Sequence, residues 1–168
     1  MAAPKKSAKP PVVGLRHPNQ YVYSCMANRY AIEREEGFVL AHFGLVNHAN
    51  VLIDRLTVVF SDNTLESLKE NLVKYSDEAG EPKKEIPKWV PPVRDSKEIS
   101  YIPVVDFLHL CNWNDTNAEM CFWSYSQGQM SDLSRMGGKN EFMVPWGIAL
   151  LRCPVDLQRA FLIELYPA

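Results

Sequence analysis

Cys111, Cys121 and His109 are the side chains whose types and spacing most suggest chemistry in this 168-residue chain. Two thiolates and an imidazole on one sheet face are donors that zinc accepts in a tetrahedron. Zinc signatures, however, join two tight pairs such as Cys-x-x-Cys. His109-x-Cys111 strings its donors along a strand and leaves a further ligand to come from elsewhere. Free thiols buried as small apolar groups are therefore the expectation, with no metal and no other cofactor. A cytoplasmic chain also disfavours a Cys111–Cys121 disulfide.

Nucleophilic and phosphate chemistry find less support. There is no Gly-x-Ser-x-Gly elbow, and Ser124 to Ser126 precede Gly128 without the strand, turn and helix that would hold a strained hydroxyl. His17, His42, His48 and His109 are scattered. His42 falls within a strand, where a hydrogen-bonded structural role is expected, and His48 lies in a turn. The run Arg135-Met136-Gly137-Gly138-Lys139-Asn140 has glycines and a lysine without the spacing of a phosphate loop. Asp106, between Val105 and Phe107, is a lone acid in an apolar strand and suits an edge charge better than a general acid.

Aromatic excess is the most informative pattern. In a hairpin centred on Thr116, Cys111 faces Cys121, His109 faces Trp123 and Phe107 faces Tyr125. Phe107, His109, Trp113, Trp123 and Tyr125 then share one face, while Leu108, Leu110, Met120 and Phe122 share the other. A sheet apolar on both faces needs cover on both. Three sources of cover follow in order: a second sheet forming a sandwich, a second subunit, or a ligand such as a sugar ring or peptide. The candidate site residues are accordingly His109, Trp113, Trp123 and Tyr125.

The elements that must position these residues are mostly strands. Residues 21–34 and 38–46 form aromatic and branched runs around Glu35-Glu36-Gly37, which signals a hairpin. Residues 51–60 give a third strand. Ser61 or Asp62 then caps a helix over 62–78, with Leu65, Leu68, Leu72, Tyr75 and Ala79 at helical spacing and Gly80 ending it. Residues 81–97 hold Pro82, Pro87, Pro91 and Pro92 and read as an extended crossover that Trp89 pins to the body. Residues 102–114 and 118–126 make the second hairpin, 127–140 a polar loop with one helical turn over 130–136, and 146–153 a strand. Residues 157–166 suit a strand through Leu157, Phe161, Ile163 and Leu165, or a helix through Leu157, Phe161 and Leu165; the strand is favoured. Each half opens with a hairpin and runs on into a strand, a loose repeat without residue-level alignment.

The fold class that results is α+β, a sandwich-like antiparallel system of about seven strands with one main helix. The expected organisation is a disordered basic tail over 1–19 and one β-rich domain over 20–168, in halves 20–80 and 98–168. With 46% hydrophobic and 23% charged residues the body cannot stay expanded in water. The first 20 residues carry Lys5, Lys6, Lys9 and Arg16 and no acid, so the other 148 hold 14 basic against 20 acidic side chains, a balance of −6. An acidic body disfavours nucleic acid as a partner. No export signal or membrane span is expected, which places the chain in the cytoplasm. Asn114-Asp115-Thr116 fits a glycosylation acceptor only in a secreted chain and reads here as a turn.

These features point to a non-enzymatic binding or assembly protein that works through its aromatic β surface, as a homo-oligomer or with another protein. The alternative is a small-ligand or enzyme site between the halves near Asp106, His109 and Trp123. The absence of convergent titratable residues ranks binding first.

Overall fold

The computed structural model describes residues 23–93, 102–124 and 146–168. Among them the fold is α+β and rich in strand, with eight strands and two helices. The strands are β1 (Tyr23–Met26), β2 (Arg29–Glu35), β3 (Phe38–Val46), β4 (Leu52–Ser61), β5 (Val104–Val105), β6 (Phe107–Asn112), β7 (Asn117–Ser124) and β8 (Trp146–Pro154). The helices are α1 (Asp62–Ala79) and α2 (Val155–Leu165). The expected tail over 1–19, the loop over 127–140 and Tyr125 lie outside the described residues.

Two four-stranded sheets result, ordered β1-β8-β7-β6 and β2-β3-β4-β5. The consecutive pairs β2–β3, β3–β4, β6–β7 and β7–β8 are all antiparallel. Each sheet also gains one parallel pair, β1 with β8 and β5 with β4. The sheets are joined at both edges by chain that changes sheet. The run over 21–34, expected as one strand, breaks at Ala27 and Asn28. There the Asn28 side chain donates to Val46 O at 2.8 Å and accepts from Val46 N at 2.9 Å, filling the ladder position at the end of β3. The run over 102–114 breaks likewise at Asp106, whose carboxylate accepts from Ser124 Oγ at 3.0 Å. Strands that switch sheets make the corners of such packings.

The core lies between the sheets. Phe43 and Phe60 of one sheet meet Phe122 of the other at ring-centre distances of 5.8 and 6.3 Å, and Phe161 of α2 reaches Phe43 at 5.0 Å. Residues 157–166, favoured above as a strand, are helical instead. Val155, Leu157, Gln158, Phe161, Leu162 and Leu165 are buried, a one-faced pattern in which Phe161 and Leu162 both enter the core, and Ile163 faces outward. An alternating strand cannot bury adjacent residues on one face. Arg34 Nη2 closes the helix by donating to Glu164 O and Leu165 O at 2.8 and 2.9 Å, cation and donor together at the negative end.

The α1 helix matches the expected cap and stop. Ser61 Oγ accepts from Thr64 N at 3.1 Å, and Gly80 adopts a φ of 76°, where a side chain would be strained. Trp89 packs its ring against Gly44, so closely that a Cβ there would stand 2.8 Å from it. Arg55 Nη1 holds Pro92 O at 2.6 Å, and Asp156 accepts from Lys83 N at 2.8 Å. The proline-rich crossover is thereby pinned along its described length.

Candidate functional site

The second hairpin sets the geometry of the site. Its register pairs Phe107 with Trp123, His109 with Cys121 and Cys111 with Glu119, two residues away from the pairing expected around Thr116. The turn explains the slip. Asn114 Oδ1 accepts from Thr116 N, Thr116 Oγ1 and Asn117 N at 2.8–2.9 Å, and Trp113 N donates to Asn117 O at 2.9 Å, so the centre falls at Asp115. A two-residue slip preserves faces, so Phe107, His109 and Trp123 remain on one side of the paired strands. Thr116 O also accepts from Val155 N at 3.0 Å, which ties the turn to the start of α2.

The stripe does not form one surface. Trp123 is 5% exposed and joins Cys121 and Leu150 in a small cluster on the outer face, separate from the main core. His109 is half-buried opposite Cys121. Trp113 is 63% exposed at the far end of the hairpin, six residues from Phe107 and so about 20 Å away along an extended strand. Asp106 bonds Ser124 near Trp123, far from Trp113. All four cysteines are free. Cys121 is buried as expected, but Cys111, expected to be buried too, is exposed because it lies on the outer face near the turn of the hairpin. Among the described residues no three His, Cys, Asp or Glu side chains gather as a metal cage would require.

Trp113 instead walls a groove of about 590 Å³. Met26, which is 57% exposed, and Leu45 also line it, with Ala118, Cys153 and Pro154. One lateral row across the outer face of the first sheet runs Met26, Arg152, Glu119, Cys111. Within it Arg152 Nε donates to Glu119 Oε1 at 3.0 Å. The two side chains differ sharply: Glu119 is 7% exposed and Arg152 53%. Glu119 is also fixed through its backbone, because the buried Gln158 donates Nε2 to Glu119 O at 3.2 Å while accepting from the Tyr75 hydroxyl at 3.1 Å. Both helices thus hold the floor of the groove in place. Burial, with the Glu119 charge second, pushes the Cys153 thiol up to about 12, so this sulfur is an apolar wall and not a nucleophile.

Sequence reasoning singled out Trp113 but passed over Met26, Glu119 and Arg152. The available signal was a pair of opposite charges, each embedded in an apolar run: Ala118-Glu119-Met120 and Leu151-Arg152-Cys153. Two such charges in strands that pair are candidates for a buried salt bridge.

A second polar cluster lies on the outer face of the other sheet. His42 Nδ1 is 3.0 Å from Thr57 Oγ1 and His42 Nε2 is 3.3 Å from Glu33 Oε2. Its order resembles a nucleophile, base and orienting acid, but Thr57 is buried in mid-strand beside a buried His42. This is the structural histidine that its place in a strand implies.

No family model, no curated protein and no solved structure matches the chain. No helix among the described residues is long and apolar enough to cross a membrane.

Proposed function

We propose that the chain is a non-enzymatic cytoplasmic binding protein whose site is the groove beneath Trp113, at the junction of the two halves. One observation carries this reading: Trp113 and Met26, both large, apolar and more than half exposed, face a cavity with a single ion pair in its floor. Ligand sites are typically concave, of roughly 300–1,000 Å³, mostly apolar and furnished with a few placed polar groups. Exposed aromatics of this kind also suit protein contact, so association of two copies over Met26 and Trp113 is the second reading.

Trp113→Ala separates them. The side chain is exposed, so stability should change by no more than about 0.5 kcal/mol. For a ligand groove, the parent and variant sediment with the same mass, and 2-naphthamide binds the parent far more tightly than the variant. For self-association, the parent is heavier than the variant at matched concentration. Equal masses together with equal probe binding would sink both readings.

A further inference from the structure

We infer that the groove takes a small apolar carboxylic acid, with its ring or chain against Trp113 and Met26 and its carboxylate on Arg152; this rests on the groove being the binding site. Arg152 is the one cation among the described residues that line the groove. A guanidinium has five N–H donors. Among the described residues Arg152 spends one, through Nε on Glu119, and four remain on the terminal nitrogens. Planar carboxylates pair with that fork in bidentate fashion.

The sign of the ligand charge follows from exposure. With Glu119 at 7% and Arg152 at 53%, the groove presents the guanidinium and hides the carboxylate. A cationic ligand would have to displace Arg152 to reach its partner, whereas an anion needs to displace nothing. Glu119 is therefore a positioning residue: its backbone is held by Gln158 and its Oε1 fixes the plane of the guanidinium. The volume of about 590 Å³ limits the occupant to a small molecule. The remaining lining is apolar or amide, which suits the uncharged part of an amphipathic acid.

The test uses the full chain and three probes of one shape: 2-naphthoate, 2-naphthamide and 2-naphthylmethylamine, followed by tryptophan fluorescence. The parent should prefer the naphthoate. Arg152→Gln should weaken naphthoate about tenfold or more, the range expected for hydrogen bonds to a charged group, and leave naphthamide within about twofold. Arg152→Gln alone strands the buried Glu119 charge, so the double variant E119Q/R152Q, which leaves a neutral pair, should show the same selective loss if the single variant unfolds. Equal binding of naphthoate and naphthamide, both weakened by Trp113→Ala, would overturn the carboxylate inference and leave the groove standing. Tighter binding of the amine would overturn it with the opposite sign. Binding of no probe in a Trp113-dependent way would overturn the inference and the groove together.

Discussion

Trp123 and Trp113 belong to the same hairpin and have opposite fates. An alternation pattern assigns a side chain to a face and does not say what covers that face. Trp123 lies in the buried cluster with Cys121 and Leu150, so Trp123→Ala should lower unfolding free energy by about 3–5 kcal/mol in urea titration. A variant as stable as the parent would refute that burial. Burial also acts on the phenols. It raises Tyr166 from 10.0 to about 12, with the Glu66 charge adding to it, and it is the first cause of the upward shifts at Tyr30 and Tyr75. A phenol raised in the folded state stabilises the fold below its unfolded value near 10, and that contribution is lost as pH rises through the folded value. Urea midpoints should therefore hold steady up to about pH 8.5 and fall above it, as the thiols of Cys25 and Cys153, which burial raises in the fold, ionise in the unfolded chain. They should fall further above about pH 10 as the phenols follow, and Tyr166→Phe should flatten this second part of the decline. A decline just as steep in that variant would remove Tyr166 from the account. At this scale the sequence revealed the aromatics and hid the ion pair, because Glu119 and Arg152 are meaningful only once β7 and β8 lie side by side.

Element by element, legibility followed how many independent signals agreed. The α1 helix had a cap, a period and a stop, and it forms over Asp62–Ala79, one residue beyond the expected 62–78. The eleven residues of α2 had a short period that alternation could imitate, and their N-cap is Pro154, which supplies no side-chain bond. What starts α2 is Thr116 O, some forty positions away in the chain and invisible to local pattern. The crossover shows the reverse case, in which composition sufficed: proline excluded a ladder, and Trp89 had to find a surface. That surface is Gly44, and the absence of a Cβ is what admits the ring. Gly44→Ala should push Trp89 away and cost about 1–3 kcal/mol, the usual range for overpacking. It should also expose residues 81–93 to proteolysis, with the tryptophan emission moving to longer wavelength. Unchanged proteolysis and emission would mean that Trp89 does not depend on this contact.

Across the whole molecule the loose repeat of the sequence becomes a definite one in topology. Among the described residues β2-β3-β4-α1 and β6-β7-β8-α2 follow the same order of three antiparallel strands and a helix. Equivalent hydrogen bonds recur: Asp62 N to Gly37 O and Val155 N to Thr116 O join each helix start to its own hairpin turn, at 3.1 and 3.0 Å. Asn28 N to Gly44 O and Asp106 N to Trp123 O, both at 2.9 Å, fasten the two sheet-switching corners. Such a repeat survives in hydrogen-bond pattern while side chains diverge, since any non-proline residue offers the same backbone donor and acceptor. The halves are also exchanged at their first strands. β1 pairs with β8 of the second half and β5 with β4 of the first, and one core cluster includes Phe43, Phe60, Phe122 and Phe161. Neither half can complete its own sheet or cover its own apolar face. Unfolding in urea should therefore be a single transition, superimposable by far-ultraviolet circular dichroism and by tryptophan fluorescence. A fragment of residues 20–80 should remain unfolded alone, because the residues that would cover Phe43 and Phe60 belong to the other half. Two separated transitions, or a folded 20–80 fragment, would show that the exchange of β1 and β5 is dispensable and that each half carries a core of its own.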